Sequence, residues 1–324
     1  MVVLGEENLG FDLTYEIIIF ILCLASMVLN LLVLYITKHR YRTNKAIDTQ
    51  LMILISVFDL LLVLFCLISQ IIKWCYGANE KEFLTGPWCR VNAIAFNAIG
   101  ILAVTLTAQL AAIRYLTIVK RYAINNMKSS IASIILVVII TLAFILSALQ
   151  NSYRLMPSGM FCITISLEGN SITHIIYAAC IFLLTIPSVL SIPIFYGLLS
   201  LHYYRLNQSL KSSDCYDKGR SFFKSSYIVY LLLFTIAYLV SLLPEFILLI
   251  VEAFTDYQRT FALDCIIYFL FFSECAINPL FVITLHPETR NDVLALLKGT
   301  LASSHDREID NFQSLHNIEL NQSR

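Results

Sequence analysis

Charged residues are scarce in this chain. Only 14% of its 324 residues are Asp, Glu, Lys or Arg, and 58% are apolar, whereas about a quarter of the residues of a soluble globular protein are charged. The two signs balance to a formal net charge of zero, which gives no general attraction to nucleic acid. Glycine and proline number only ten and seven, which excludes collagen-like and low-complexity chains. The composition is that of a polytopic membrane protein.

Seven long apolar stretches account for most of the chain. Each is long enough to cross about 30 Å of hydrocarbon as a helix. They lie at 14–37, 48–74, 91–119, 130–150, 172–201, 226–252 and 262–285. The first has no small-residue cleavage pattern, so we interpret it as a retained helix and not as a signal peptide. The sequence therefore predicts an all-α membrane protein, a bundle of seven transmembrane helices.

Basic residues concentrate in alternate loops. The loops after the first, third and fifth stretches hold twelve: Lys38, Arg40, Arg42, Lys45, Lys120, Arg121, Lys128, Arg205, Lys211, Lys218, Arg220 and Lys224. Far fewer lie in the other loops, among them Lys81, Arg154 and Arg259. The positive-inside rule then places the N-terminus outside and the C-terminus in the cytosol of a plasma-membrane protein. We expect an extracellular segment at 1–13, the helical domain at 14–299 and a disordered cytosolic tail at 300–324.

Several polar side chains fall inside the predicted spans. A charge in mid-membrane costs about 2.5–3.5 kcal/mol on the insertion scale, so each should face the bundle interior and have a partner. The set is Asn30, Asp59, Arg114, Glu245, Glu274 and Asn278. Glu274 and Asn278 are four residues apart and share one helix face.

Two pairs of cysteines lie where the predicted topology is extracellular. Cys89 and Cys162 both fall outside the membrane, and an oxidising exterior favours a disulfide between them. Cys75 and Cys265, at the outer ends of the second and seventh helices, could form a second bridge, and that alternative stays open.

Motifs of catalysis are missing. The chain contains no H-E-x-x-H, G-x-S-x-G or phosphate-binding loop, and its six histidines are scattered. We therefore predict no enzymatic activity, no catalytic residue and no metal centre.

Taken in order, the polar and proline positions resemble the rhodopsin-like (class A) G-protein-coupled receptor family over about residues 15–299. The matching features are Asn30 in "MVLNLLVLY", Asp59 in "LISVFDLLL", Cys89 followed twenty-five residues later by Arg114 in "RYLTIV", Pro187, Pro244 and Asn278-Pro279. After Pro287, "PETRNDVLALLKG" predicts a short amphipathic eighth helix along the inner leaflet.

The resemblance implies a cell-surface receptor that binds an extracellular ligand and signals through a heterotrimeric G protein. Arg114 and Tyr115 would contact the G protein. The family's acids that restrain this arginine are replaced by Ile113 and Lys224, so we expect Arg114 to reach cytosolic water and headgroup phosphates. We also expect ligand-independent activity unless another contact holds the sixth helix closed.

The resemblance also bears on the ligand. An aminergic ligand is not expected, because the amine-binding aspartate is replaced by Phe96, and retinal is excluded, because its lysine is replaced by Phe272. The ligand-binding candidates in the outer half of the bundle are Glu245, Asn97, Tyr177 and Tyr268. Two interpretations of Glu245 stay open: it anchors a ligand with a cationic or donor group, or it stays protonated and bonds a neighbouring helix. The two tyrosines are either packing or contact residues.

Asp59, Glu274 and Asn278 form a predicted proton or cation site. Two carboxylates that meet in the middle of a bundle cannot both be charged cheaply, so they should share a proton or hold Na⁺. The apolar Ile99 and Ala103 on the third helix favour the proton. Two rival functions remain: a seven-helix ion or proton translocator that uses Asp59 and Glu274, for which we find no internal repeat, and a degenerate receptor that no longer couples.

Overall fold

The computed structural model describes residues 9–40, 47–76, 87–122, 132–142, 153–159, 161–164, 181–211, 218–254, 257, 259–285 and 287–297. Predictions that concern Tyr177, the tail 300–324 and parts of the fourth and fifth apolar stretches lie outside these residues.

The described residues are mainly helical. The helices are α1 (Leu9–Arg40), α2 (Ile47–Tyr76), α3 (Pro87–Ile118), α4 (Ala132–Leu142), α5 (Ile186–Lys211), α6 (Lys218–Phe254), α7 (Phe261–Leu285) and α8 (Pro287–Leu297). A π-helical turn, Ile181–Thr185, leads into α5. Two short strands, β1 (Tyr153–Leu155) and β2 (Cys162–Thr164), pair as an antiparallel hairpin in which Leu155 faces Cys162.

Six of the described helices are long and apolar enough to cross a membrane, namely α1, α2, α3, α5, α6 and α7. The described part of the fourth stretch is the shorter apolar helix α4, which packs Ile140 against Leu102 of α3. The predicted membrane-helical fold is confirmed, and α8 follows α7 as the sequence indicates.

The long helices pack as a closed ring. Helix α1 contacts α2 and α7, α2 contacts α3, α3 contacts α5, α5 contacts α6, and α6 contacts α7. Apolar side chains fill the centre of this ring, among them Val104, Leu242 and Cys275. The opposite face of α6 exposes apolar residues spaced three to four apart, namely Val229, Leu233, Ile236, Val240, Leu243 and Ile247. Such an apolar outer stripe suits contact with lipid.

A proline and an asparagine on different helices complement each other. Pro279 has no N–H, so the carbonyl four residues earlier, that of Cys275, loses its helical donor. The buried Asn30 of α1 replaces this donor, since its Nδ2 lies 2.9 Å from the Cys275 oxygen. The same amide donates to Ser26 of its own helix at 3.0 Å. This exchange fixes α1 against α7 at the depth of the central carboxylates.

The two ends of the bundle differ. The β1–β2 hairpin covers one end, which we call the hairpin end; its turn places Gly159 at φ 70°, a left-handed conformation that glycine adopts without strain. Arg114 lies near the other end, which we call the Arg114 end. The candidate functional groups lie near these two ends and in the centre between them.

Candidate functional site

A cavity opens between α3, α6, α7 and the π-helical turn before α5, on the hairpin side of the bundle. It encloses about 460 Å³ of space, part of which is the open mouth of the cavity. Its walls are Phe96, Asn97, Gly100, Ile101, Val104, Thr185, Glu245, Phe246, Leu249 and Phe271. Two of the predicted ligand-binding residues, Asn97 of α3 and Glu245 of α6, therefore line the same cavity. The Asn97 amide donates to the Ala93 carbonyl at 2.8 Å.

Glu245 is held by an arginine from the loop between α6 and α7. Arg259 folds inward, and its Nη1 and Nη2 lie 2.7 and 3.1 Å from the two Glu245 carboxylate oxygens. This is the paired geometry in which guanidinium and carboxylate bind most strongly. The Arg259 side chain is fully buried. Glu245 thus has a charged partner, which the sequence did not assign to it.

Arg259 also contacts two further carboxylates. Its Nε donates to Glu252 at 2.7 Å, and its Nη1 lies 3.6 Å from Asp264 of α7. Burial lowers the pKa of the Arg259 guanidinium, but the charge of Glu245 and the hydrogen bonds to Glu245 and Glu252, together with the nearby Tyr268, outweigh it, so that the pKa lies above its ordinary value. Arg259 therefore stays charged and joins the loop to α6 and α7.

The hairpin is fixed to the bundle on two sides. Cys89 at the start of α3 is bonded to Cys162 of β2, which confirms the predicted disulfide. The Cys162 N–H donates to Asn92 at 3.0 Å, and the Ser158 N–H donates to Asp264 at 2.9 Å. Cys75 and Cys265 are not joined by a disulfide.

Tyr268 lies beneath the hairpin and does not line the cavity. Its ring centre is 4.7 Å from that of Phe161 in the hairpin and 5.5 Å from that of Phe96. The residue is buried, and its hydroxyl has no hydrogen-bond partner among the described residues. This position corresponds to the packing alternative. Phe272 belongs to the same aromatic group, with its ring centre 5.2 Å from that of Phe161.

Asp59, Glu274 and Asn278 meet in the centre of the bundle, as predicted. The Asn278 Nδ2 donates to Asp59 at 3.0 Å and to Glu274 at 3.1 Å. The Tyr238 hydroxyl of α6 donates to the same Glu274 oxygen at 3.0 Å. Sequence reasoning did not identify Tyr238, which adds α6 to a network that already joins α2 and α7.

Each carboxylate keeps one oxygen without a partner among the described residues, Asp59 Oδ1 and Glu274 Oε2. Both residues are almost completely buried, and buried carboxylate oxygens of this kind require a proton, a cation or water. The residues present therefore fit either a shared proton or Na⁺. Ala103 is buried and Ile99 half-buried on the adjoining helix.

The expected exposure of Arg114 is wrong, because its side chain is only 5% exposed and is enclosed by protein. Its Nη2 lies 3.3 Å from the Met52 sulfur of α2, and its Cζ lies 6.0 Å from the Phe281 ring centre of α7. The Tyr196 hydroxyl of α5 lies beside it without a hydrogen bond of ordinary geometry. Polarisable sulfur and aromatic faces thus replace water around the guanidinium.

An aromatic cluster packs beside Arg114. Phe234 of α6 stacks on Phe281 of α7, with ring centres 3.6 Å apart. Tyr196 meets both rings edge-on, at 5.4 and 5.5 Å. We call Tyr196, Phe234 and Phe281 the aromatic latch, since they join α5, α6 and α7.

The residues around Arg114 differ in their surroundings. Ile113 is buried in an apolar cluster with Leu110 and Val282, and Tyr115 packs against Phe195 with ring centres 5.5 Å apart. The Lys224 side chain lies outside the described part of the chain.

A family model for the 7 transmembrane receptor (rhodopsin family) matches residues 29–281. Among solved structures, that of squid rhodopsin is similar, with a TM-score of 0.65 and 16% sequence identity over 87% of this chain and 84% of that one. At this identity the structural likeness concerns the fold. No curated protein sequence matches significantly.

Proposed function

Because the chain belongs to the rhodopsin family of seven-transmembrane receptors, we propose that it is a cell-surface receptor that binds an extracellular ligand and activates a heterotrimeric G protein. The observation that carries the proposal is the combination, in one bundle, of a cavity at the hairpin end and an Arg-Tyr pair at the other end. Helices α3, α5, α6 and α7 run between the two and connect them mechanically.

The hairpin end faces the outside in this proposal. Basic loops at the Arg114 end support this orientation through the positive-inside rule, and the Cys89–Cys162 disulfide suits an oxidising exterior. The N-terminus would then be extracellular and the C-terminus cytosolic, with the protein in the plasma membrane.

The ligand occupies the cavity and contacts Asn97. Glu245 lines the same cavity but acts chiefly through Arg259, since both of its carboxylate oxygens are bonded to that guanidinium. Ligand binding shifts an existing equilibrium between closed and open forms of the Arg114 end.

Asp59, Glu274 and Asn278 form a proton or Na⁺ site that biases this equilibrium. The unpartnered Asp59 Oδ1 and Glu274 Oε2 support such a site. We favour the shared proton, because Asn278 directs its amide N–H groups at the carboxylates and the α3 side is apolar.

Arg114 and Tyr115 contact the G protein when α6 moves outward. In the closed form Arg114 is covered by Met52 and Phe281, so opening must first uncover it. This requirement makes the aromatic latch part of the switch.

Two measurements test the proposal. Epitope tags at the two termini, probed in intact and permeabilised cells, should show the N-terminal tag outside and the C-terminal tag inside. Resonance energy transfer between G-protein subunits, measured over the main Gα classes, should fall on expression of the chain. A reversed topology, or an unchanged signal for every class at verified surface expression, would contradict the proposal.

A further inference from the structure

The cavity contains one buried hydroxyl that the chain itself does not use. Thr185 is fully buried and lines the cavity, and its Oγ1 has no hydrogen-bond partner among the described residues. A buried hydroxyl without a partner costs about 1–3 kcal/mol, so it calls for an explanation.

Other threonines in the helices of this protein satisfy their hydroxyls locally. Thr37, Thr105, Thr107 and Thr235 each donate to the carbonyl four residues earlier, at 2.6–2.9 Å. Thr185 makes no such bond. It is the last residue of the π-helical turn Ile181–Thr185, whose i→i+5 winding differs from that of the α-helices in which the other threonines bond. π-Turns of this kind occur frequently at functional sites.

Among the described residues that line the cavity, the one acid, Glu245, is already neutralised. Both oxygens of Glu245 bind Arg259, while Glu252 and Asp264 do not line the cavity. A ligand ammonium would have to displace a guanidinium that is tethered to the same chain and bound at two points, which an ammonium cannot match.

Apart from Asn97, whose amide donates to its own helix, the remaining described lining side chains are apolar. They are three phenylalanine rings, Phe96, Phe246 and Phe271, and three aliphatic side chains, Ile101, Val104 and Leu249. Such walls favour the binding of a ligand with a hydrocarbon or aromatic body, because binding removes apolar surface of that ligand from water. A charged ligand would lose its hydration on entering the cavity, and these walls could compensate for that loss only through contact with the ring faces.

We propose that the cavity takes an uncharged ligand with an aromatic or aliphatic body and one hydrogen-bonding group, which pairs with the hydroxyl of Thr185. The inference rests on the proposed function, since it takes the cavity to be the ligand site. Thr185 selects ligands that carry a hydrogen-bonding group. Arg259 excludes cationic ligands, because it already binds both carboxylate oxygens of Glu245.

The test uses three probes that share a phenyl ring: 2-phenylethanol, 2-phenylethylammonium and ethylbenzene. Dissociation constants are measured by saturation-transfer titration on the full chain in lipid nanodiscs, with empty nanodiscs subtracted to remove partitioning into lipid. We expect the alcohol to bind at least fivefold more tightly than either of the other two.

Variants at Thr185 separate a ligand contact from a structural role. Thr185→Val should weaken alcohol binding about fivefold, the size of one hydrogen bond, and Thr185→Ser should retain it. Ligand-free Thr185→Val should unfold at the same temperature as wild type or higher, because it removes an unpartnered polar atom. Alcohol binding that is unchanged in Thr185→Val would overturn the proposal.

Variants at the ion pair test the exclusion of cations. Arg259→Gln should strengthen ammonium binding at least tenfold relative to wild type, and the Glu245→Gln/Arg259→Gln double variant should not. Tighter binding of the ammonium than of the alcohol by wild type would overturn the proposed ligand class and leave the receptor function intact. Absence of binding by all three probes would overturn both this inference and the cavity as the ligand site.

Discussion

Glu245 and Arg259 show how a single buried pair can control the hairpin end. The guanidinium is fully buried and contacts carboxylates on α6 and α7, so its removal would leave these charges without their common partner. Removing one member of a buried ion pair costs about 3–5 kcal/mol, whereas replacing both members by neutral groups can be close to neutral.

We therefore expect Arg259→Ala to lower the thermal unfolding temperature and the surface amount of the receptor. The Glu245→Gln/Arg259→Gln double variant should recover part of both, because Glu245 is no longer an unpaired charge. Unfolding of purified receptor followed by thiol-reactive dye measures the effect. Equal unfolding temperatures for Arg259→Ala and wild type would show that the pair does not stabilise this end.

A substitution at Glu274 tests the proposed role of the central carboxylate pair. Glu274→Gln keeps the shape and the polar contacts with Asn278 and Tyr238 but removes one of two adjoining carboxylates. We expect the dependence of signalling on pH and on sodium to be reduced, since the remaining Asp59 no longer shares a proton or cation. Signalling measured between pH 6 and 8, with sodium replaced by N-methylglucamine, checks this. An unchanged dependence on both would make the pair structural only.

At the scale of elements, the hairpin is joined to the bundle by one covalent bond besides its hydrogen bonds. The Cys89–Cys162 disulfide holds β2 against α3, and the buried Phe161 beside it packs on Phe96 and Tyr268. Loss of this bond should loosen the β1–β2 hairpin and the packing of Phe161 on Phe96 and Tyr268.

We expect Cys89→Ser to reduce surface delivery and stability, because a native disulfide contributes about 2–5 kcal/mol in small secreted domains. Cys75→Ser is the matched control, since Cys75 is exposed and not disulfide-bonded. Flow cytometry on an N-terminal tag measures surface delivery. A Cys89→Ser variant that reaches the surface as well as Cys75→Ser would contradict the role assigned to the bond.

The helices were predictable because hydrophobic length and proline position act locally. The apolar stretches, Pro279 and the shared face of Glu274 and Asn278 are all visible in the sequence. Arg259 was not assigned to Glu245, because it lies in a loop, where no periodicity indicates which way a side chain points. The unpartnered hydroxyl of Thr185 was also out of reach, since it arises from a π-helical turn that no composition signal marks.

Arg114 shows the same limit at the opposite end. The sequence revealed that Ile113 and Lys224 stand in place of the family's restraining acids, and exposure to water was the simplest expectation. The guanidinium is instead buried against Met52 and Phe281. The burial of this side chain depends on contacts with residues of α2 and α7, and the sequence around Arg114 does not indicate them.

At the scale of the whole molecule, the aromatic latch bears on ligand-independent activity. The missing acids predict high basal signalling unless another contact holds α6 closed. Stacking of Phe234 on Phe281 is a contact of that kind, since it joins α6 to α7 next to Arg114. An aromatic pair contributes about 0.5–1.5 kcal/mol beyond its buried area, enough to change the open fraction several-fold.

The central claim is that this bundle is a receptor whose Arg114 end opens to activate a G protein. Its most direct test is guanine-nucleotide exchange on purified heterotrimers by the chain reconstituted in nanodiscs, without ligand, for wild type, Phe234→Ala and Phe234→Ala/Arg114→Ala. For wild type, the account predicts slow exchange at a rate above that of empty nanodiscs. For Phe234→Ala it predicts a rate about fivefold or more above that of wild type, because the aromatic latch is broken. The double variant should return exchange to the level of empty nanodiscs, because Arg114 is lost. Exchange at that same background level by folded wild type and Phe234→Ala with every Gα class, or undiminished exchange by the double variant, would contradict the account.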